Sequence, residues 1–259
     1  MRQFKTLWKG MAAALTGGLL LCACSSEEDS LEIPEGKGLV RIGLSADTGF
    51  STQTKAVDES EYENLENYTV QILENGSVKN KYSYTDIKNT WISYSSGTYT
   101  VKAFYGEDKA VSTTSMYVEG SQDILISNDT AHVSFTCRPV CAKVTVKFDE
   151  TMATYFRDYE VVFKTEALGE GNYTWEKDFT DPVYMKVMGE KETVNAVIRL
   201  TKMDGTSTTL DKTYELMPAM QKTITMKPTV SGGNVGITIT IDETTNDQEI
   251  EIEVPSDWV

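Results

Sequence analysis

Four cysteines and one histidine are the side chains with the most reactive chemistry in this chain of 259 residues. Cys22 and Cys24 close an apolar run near the amino terminus, whereas Cys137 and Cys141 lie in the middle of the sequence. The second pair could form a disulfide only if Pro139 bends the chain, because an extended strand holds α-carbons at this spacing too far apart. Pairing of Cys137 with Cys141 therefore stays open at this point.

His132 is the only histidine, and this restricts the metal and catalytic chemistry that the chain could support. A metal site is not expected, since no second cysteine pair accompanies His132 as additional ligands. A Ser-His-Asp or Cys-His arrangement would also have to use His132, which begins a strand-like segment where structural imidazoles are more common. No phosphate-binding loop or zinc-protease helix occurs. The sequence predicts a non-enzymatic protein with no metal and no other cofactor.

Residues 1–23 have the layout of a signal peptide. A basic start, with no acidic residue before Glu27, precedes an apolar run over residues 11–21 that is too short to span a bilayer. The run ends in Leu21-Cys22-Ala23-Cys24, which resembles the bacterial lipobox: a large aliphatic residue three places before the modified cysteine and a small residue directly before it. The resemblance implies lipidation of Cys24. An ordinary cleaved signal with two incidental cysteines is the alternative.

Residues 24–36 are predicted to form a lipid-anchored flexible tether, because Ser25–Ser30 is polar, acidic and without aromatic residues. The segment resembles the acidic tag of surface-exposed lipoproteins in Bacteroides-type bacteria. This implies an outer-membrane position facing the cell exterior, with membrane lipid as the partner of Cys24. Without residues 1–23 the chain carries 21 basic and 39 acidic residues, a net charge of −18, so nucleic acid is not an expected partner.

From Lys37 onward, apolar residues recur with the period of two that is typical of half-buried strands. Asn75-Gly76 and Asp204-Gly205 stand between such runs and predict hairpins with positive φ at both turn residues. Short helical turns are predicted near Glu61 and over residues 151–157, the second capped by Asp149. Strands are predicted at 38–45, 68–73, 77–84, 92–94, 98–105, 115–118, 123–126, 131–136, 142–148, 159–165, 172–179, 183–187, 194–203, 207–216, 221–227, 236–241 and 249–254.

Many short strands with little helix predict an all-β fold of two tandem antiparallel β-sandwich domains. The interruption at Arg138-Pro139 places these domains at residues 37–138 and 139–259. Tyr68-x-Val70 and Tyr159-x-Val161 each stand early in their half. This similarity suggests two related modules.

Three segments carry a resemblance to a known group of proteins: Gly38–Ile42, Ser96–Ala103, and Val133–Cys137 leading into Ala142–Val146. Together with the lipobox, they resemble Bacteroides-type fimbrillin-related surface lipoproteins, a group that includes a two-domain family of unknown function. The resemblance implies transthyretin- or Ig-like sandwiches and a role as a pilus subunit, pilus accessory protein or adhesin. The implied partners are other pilin-like subunits, joined by strand addition, or a ligand on a host or bacterial surface.

In fimbrillins a protease is thought to cut after an arginine near the first strand, and the groove left open accepts a strand from the next subunit. Arg41 is the only arginine between the anchor and residue 138, so the resemblance implies it as a possible maturation site. An outward-facing side chain on an ordinary strand is the alternative. The strands at 236–241 and 249–254 are the possible donors, or else an ordinary closing hairpin.

Aromatic residues suggest a second function. Trp91 and Tyr94 in the first half, and Tyr173 and Trp175 in the second, are possible sites of stacking on sugar rings. Core packing or cross-strand pairing is the alternative for all four. If they stack on sugars, the protein is a glycan-binding surface lipoprotein that assists polysaccharide capture.

Overall fold

The computed structural model of the protein describes residues 32–50, 57–231, 234–243 and 248–252, and strands dominate them. The strands are β1 Lys37–Ala46, β2 Thr69–Glu74, β3 Ser77–Ser83, β4 Ile92–Ser95, β5 Gly97–Gly106, β6 Val111–Ser112, β7 Tyr117–Ile126, β8 Thr130–Pro139, β9 Cys141–Phe148, β10 Phe156–Lys164, β11 Tyr173–Glu176, β12 Val183–Lys186, β13 Glu192–Lys202, β14 Ser207–Leu216, β15 Gln221–Ser231, β16 Asn234–Glu243 and β17 Gln248–Ile252. The helices are α1 Tyr84–Ile87 and α2 Met152–Tyr155, with 3₁₀ turns at Glu59–Tyr62, Leu65–Asn67 and Glu166–Leu168. The predicted all-β fold with little helix is confirmed.

The amino-terminal half builds one seven-stranded sheet in the order β3-β2-β5-β7-β8-β1-β4. Residues 118–119 of β7 pair with residues 138–139 of β8 at one end of these two strands, and the sheet folds over there. This bend divides the sheet into two parts, here called wings: wing A contains β8, β1 and β4, and wing B contains β3, β2, β5 and β7. Val40 of wing A and Val70 of wing B belong to one buried cluster, so the half is a sandwich.

The carboxyl-terminal half contains two sheets, ordered β11-β10-β13-β14 and β17-β16-β15-β9-β12-β6. Val144 of the six-stranded sheet and Val161 of the four-stranded sheet share a second buried cluster. The edge strand β6 comes from the amino-terminal half, because Ser112 pairs with Tyr184 of β12. The first half of the chain therefore completes a sheet of the second half.

The two halves repeat one strand order. β1, β2, β3, β4, β5, β7 and β8 correspond, in that sequence, to β9 through β15 in order and in sheet partners, except that β7 pairs with β8 whereas β14 and β15 lie in different sheets. The parallel pairings of the two halves also begin at equivalent residues: the first register pair is Leu39 with Thr130 in the amino-terminal half and Lys143 with Gln221 in the carboxyl-terminal half. The predicted division at residues 138 and 139 falls within one compact unit, Ile33–Val259, and stays a prediction.

Two of the strand pairings are parallel, which departs from the predicted antiparallel sandwiches. Residues 39–46 of β1 pair in parallel with residues 130–137 of β8, and β9 pairs in parallel with β15. The first and the last strand of the repeated seven-strand unit thus lie side by side in each half. The alternating pattern did not distinguish the two directions, because side chains alternate between faces in parallel and antiparallel strands alike.

The predicted turns differ in outcome. Asn75 and Gly76 both have positive φ, 51° and 76°, which confirms the first hairpin turn. At the second turn only Gly205 does, with φ 92°, so the predicted conformation of Asp204 is wrong. The Asp204 carboxylate instead accepts a hydrogen bond from the Thr206 N–H at 2.8 Å, and this local bond favours a different turn.

Local structure elsewhere follows the predictions with small differences. Glu61 lies in a 3₁₀ turn, and the Asp149 carboxylate accepts the Thr151 N–H at 3.0 Å just before α2. The segments 115–118 and 123–126 were predicted as separate strands, but residues 117–126 form the single strand β7. β7 stays continuous because it pairs with β5 from Gly97 to Gly106.

Candidate functional site

The outer edge of β8 is one candidate site. Leu39 N–H donates to the Asp129 carbonyl at 3.1 Å and Asp47 N–H to the Cys137 carbonyl at 3.0 Å, at the two ends of the β1–β8 pairing. In a parallel pair only every second residue of a strand bonds to one neighbour, so the main-chain groups of His132 and Ser134 point away from β1. Among the described residues, no strand pairs with β8 there.

The corresponding edge in the carboxyl-terminal half is covered. β15 is the counterpart of β8, and its outer edge pairs with β16 from Lys222↔Glu243 to Ser231↔Asn234. β17 then pairs with β16. The predicted strands at 236–241 and 249–254 therefore form a closing hairpin in the described residues. In the amino-terminal half, β7 pairs with one end of this edge, at Arg138 and Pro139, and no described strand pairs with the rest of it.

The outer face of wing A carries a row of polar and aromatic side chains. Arg41 of β1 and His132 of β8 are register partners, and both alternate with core residues such as Val40. The Arg41 guanidinium donates from Nη2 to Asn89 Oδ1 at 3.3 Å. The rings of Trp91 and His132 lie 4.8 Å apart at an interplanar angle of 71°. The row is open to solvent, because His132 and Asn89 are exposed and Arg41 and Trp91 are partly so.

The same face in the carboxyl-terminal half is buried. Lys143 of β9 and Tyr184 of β12 are register partners that point away from their own core. Both contact Glu59 of the amino-terminal half: Lys143 Nζ lies 2.7 Å from Oε1, and the Tyr184 hydroxyl donates to Oε1 at 2.6 Å. Lys143 Nζ also lies 5.4 Å from the centroid of the Phe50 ring. A carboxylate held by a cation between aromatic rings thus joins the two halves.

The predicted maturation site, Arg41, lies inside a paired strand. Wing A has the order β8-β1-β4, so β1 has a neighbour on each side, and Val40 pairs with both Ala131 and Ile92. A protease would have to open this pairing to reach the peptide bond after Arg41. Cys24, the predicted lipidation site, lies outside the described residues.

The four aromatic residues predicted to stack on sugars are placed differently. Trp175 is fully buried, and its indole N–H donates to the Phe179 carbonyl at 3.0 Å. Tyr94 is 8 % exposed, and its hydroxyl lies 2.9 Å from that of Tyr82. Burial, with help from the Tyr82 hydroxyl, raises the pKa of Tyr94. Neither ring can stack on a ligand, which corrects the prediction for these two. Trp91 and Tyr173 are partly exposed.

The reactive side chains considered from the sequence are two buried cysteines and an exposed histidine in the described part of the chain. Cys137 and Cys141 are buried and do not form a disulfide, and burial raises the pKa of each thiol to about 12. No group of three or more His, Cys, Asp or Glu side chains with metal-binding geometry occurs among the described residues. The described helices include none that is long and apolar enough to cross a membrane.

Two features of the site were missed from the sequence. The Glu59–Lys143–Tyr184 contact joins residues that are far apart in the chain, and no local pattern marks them as neighbours. The open edge of β8 depends on the absence of a following strand. The only available signal was that Cys141 begins the next strand directly after Pro139, which leaves no room for a counterpart of β16.

Residues 36–256 match a protein family described as a domain of unknown function, DUF4493. This protein belongs to the DUF4493 family. The match covers both halves of the repeat, so the family extends over the whole described fold. The predicted membership in a family of unknown function is confirmed. No curated protein matches the chain.

Three of the solved structures to which the chain is similar come from Bacteroides ovatus and Parabacteroides distasonis. A candidate adhesin from Bacteroides ovatus has a TM-score of 0.42 and 9% identity, covering 83% of the DUF4493 chain and 95% of its own. A fimbrial assembly protein from Parabacteroides distasonis has a TM-score of 0.38 and 10% identity, with coverages of 83% and 97%. A candidate cell adhesion protein from Bacteroides ovatus has a TM-score of 0.37 and 11% identity, with coverages of 84% and 99%.

Proposed function

We propose that this protein is a non-enzymatic, lipid-anchored protein of the outer cell surface, of fimbrial or adhesive type, that joins a second copy by strand addition to the edge of β8. One observation carries the proposal: β16 pairs with β15 from Lys222 to Ser231, whereas the counterpart edge of β8 pairs, among the described residues, only at Arg138 and Pro139. Unpaired main-chain groups on an edge strand are a template for another chain. In such an addition, main-chain hydrogen bonds give affinity and alternate side chains give register.

The donor in this proposal is the carboxyl-terminal segment of a neighbouring copy. β17 is the last strand of its sheet, and within the described residues it pairs with β16 alone, from Ile237↔Ile252 to Ile241↔Gln248. A strand with one neighbour loses fewer hydrogen bonds on leaving its sheet than a strand with two. β17 can therefore transfer to β8 of another copy while β16 continues to cover β15.

Cleavage after Arg41 is a further part of the proposal, because it would create a second acceptor site. Removal of the segment up to Arg41 would uncover β4 on one side and the start of β8 on the other. Strand addition at the outer edge of β8 does not need this cut. The two routes differ in whether protease treatment is required before copies associate.

Substitution of Ser134 tests the acceptor edge. Ser134→Pro removes an N–H that points toward the incoming strand, while Ser134→Thr retains it and serves as the matched control. In analytical ultracentrifugation the original chain and Ser134→Thr should associate with rising concentration, and Ser134→Pro should stay monomeric. Association of Ser134→Pro equal to that of the control, or a monomeric original chain throughout, would refute strand addition at this edge.

Deletion of residues 248–259 tests the donor without changing the acceptor, in case Ser134→Pro fails to fold. The shortened chain should be monomeric and should bind a synthetic peptide with the sequence of residues 248–254, whereas a scrambled peptide should not bind. Undiminished self-association of the shortened chain would show that another segment is the donor.

Lipid anchoring is tested separately at Cys24. In bacterial cells, Cys24→Ser should move the protein from the membrane fraction to the soluble fraction, because the thiol that accepts the lipid is lost. Cys22→Ser is the control and should remain in the membrane fraction. Equal distribution of both variants would contradict the assignment of Cys24 as the lipidated residue.

A further inference from the structure

We propose that the outer face of wing A binds a sugar that carries a carboxylate, such as a uronic acid residue of a polysaccharide. The site consists of Arg41, Trp91, His132 and Asn89, with the Ser134 hydroxyl at its border. This binding function uses side chains on the face of the sheet. It is independent of strand addition, which uses main-chain groups at the edge of β8.

The backbone places these side chains side by side. Arg41 and His132 face each other across the β1–β8 pair, and Trp91 directly precedes β4, whose first residue, Ile92, pairs with Val40. The chain neighbours of Arg41 and His132 point into the core: Val40 is 2% exposed and Val133 is 4% exposed. β1, β8 and the segment that precedes β4 therefore present one continuous row to solvent.

The charge of Arg41 supports a ligand with a carboxylate. In the described part of the chain, no carboxylate lies within ion-pair distance of Arg41, whereas Arg138 contacts Asp47 and Arg199 contacts Glu160. This is notable in a chain with 39 acidic and 24 basic residues. A guanidinium has five N–H donors in a planar fork that matches a carboxylate, and Asn89 engages only one nitrogen.

The neighbouring groups suit a sugar ring better than a simple anion. Trp91 is partly exposed and offers aromatic surface, whose negative face attracts the polarised C–H groups of a sugar. The Asn89 amide, the His132 imidazole and the Ser134 hydroxyl can each donate and accept hydrogen bonds. This mixture corresponds to the hydroxyl groups of a sugar, while Arg41 accounts for the carboxylate.

The carboxyl-terminal half shows that the equivalent face of the fold can bind a carboxylate. On the equivalent face, Lys143 binds the Glu59 carboxylate at 2.7 Å, with Tyr184 donating to the same oxygen. The Phe50 ring lies 6.0 Å from the Tyr184 ring and completes the surroundings. A cation, a hydrogen-bond donor and aromatic rings thus already bind one carboxylate in this molecule. Arg41, His132 and Trp91 repeat this chemistry on the open counterpart.

Isothermal titration calorimetry of the full chain with trigalacturonic acid and with neutral galactotriose tests the site. Trigalacturonic acid should bind, and galactotriose should bind at least about tenfold more weakly, a difference of about 1.4 kcal/mol. Arg41→Gln and Trp91→Ala should each raise the Kd for trigalacturonic acid about tenfold or more. Arg199→Gln and Tyr173→Ala are matched controls on the other half and should leave the Kd unchanged.

Several results would overturn the proposal. No binding of trigalacturonic acid, equal Kd values for the two trisaccharides, or an unchanged Kd in Arg41→Gln would each do so. Binding of triglutamate without binding of either sugar would instead identify an acidic peptide as the ligand class. Circular dichroism of each variant establishes that the fold is retained. Because sugar binding and association are measured separately, failure of one leaves the test of the other intact.

Discussion

The two halves of the molecule share one strand order but differ in what covers it. In the carboxyl-terminal half, β16 covers the edge of β15, and Phe50 and Glu59 cover the outer face around Lys143. In the amino-terminal half, the face around Arg41 is open, and the corresponding edge of β8 pairs, among the described residues, only with Val118 and Glu119 of β7. The difference shows that the fold alone does not decide which surfaces can bind a partner. The additional segments of the chain decide it.

The covered half also shows what the open half is suited to bind. Its edge holds a strand, and its face holds a carboxylate between a cation and aromatic rings. Both proposals apply these observed contacts to the open counterpart. If the two halves differ in burial and are joined through Glu59, substitutions in each half should change the free energy of unfolding by different amounts.

Loss of the buried contact at Glu59 should have the largest effect. Glu59→Ala breaks the ion pair with Lys143 at a site where both side chains are less than a tenth exposed. We expect a loss of about 3–5 kcal/mol in the free energy of unfolding, the usual cost of removing one partner of a buried ion pair. Urea unfolding followed by circular dichroism measures it, and the single transition of the original chain should broaden or split as the halves uncouple.

Two controls accompany Glu59→Ala. Glu215→Ala removes one partner of the exposed pair with Lys191 and should change stability little, because exposed pairs contribute weakly. The double substitution Glu59→Met with Lys143→Met removes both charges and should recover much of the loss. A Glu59→Ala variant as stable as Glu215→Ala would mean that this contact does not couple the halves.

Equivalent aromatic residues should differ in their contribution to the two cores. Trp175 pairs with Val161 as Tyr82 pairs with Val70, but Trp175 is fully buried and Tyr82 only partly. Trp175→Ala should cost about 3–5 kcal/mol, as large core truncations do. Tyr82→Ala should cost clearly less in the same urea titration. Equal losses would contradict the difference in burial between the two halves.

Stability at high pH should report the two thiols beside the junction of the halves. Burial raises the pKa of Cys137 and Cys141 from 9.0 to about 12. In the unfolded chain the thiols ionise at lower pH, so their contribution is complete below about pH 9 and is lost as pH rises toward 12. Thermal unfolding across this range should therefore show falling stability. Buried tyrosines also lower the stability as pH rises, so they contribute in the same direction as the thiols. The stability of the double variant Cys137→Ala with Cys141→Ala should fall less steeply with pH, and the difference from the original chain is the contribution of the thiols. An unchanged pH dependence would count against buried thiols.

The smallest expected effect is at the confirmed hairpin turn of the amino-terminal half. Gly76 has φ 76°, and a Cβ placed on it would meet nothing within 4 Å. Gly76→Ala should cost about 1 kcal/mol through backbone strain alone. Gly97→Ala is the control, since Gly97 has no positive φ and a Cβ placed on it would meet the Tyr99 ring at an ordinary contact distance of 3.5 Å. A neutral Gly76→Ala in urea unfolding would show that the turn relaxes without cost.

Strand positions were predictable because alternation and turn residues act over a few neighbouring positions. β1, β5 and β9 lie within one or two residues of their predicted bounds. β6 was not predicted, since two residues are too few to show a period. Of the candidate site, Arg41 and Trp91 were singled out by residue type, whereas Tyr94 and Trp175 could not be recognised as core because sequence does not report burial.

The sequence by itself determined the secondary structure, the acidity and the all-β class of this protein, since these depend on composition and on patterns between near neighbours. The tertiary structure decided the parallel pairing of β1 with β8, the contact of Glu59 with Lys143, and the exposed face and partly paired edge of wing A. These features join residues that are tens of positions apart. Their proximity depends on how the sheets fold over one another, and no local propensity encodes that.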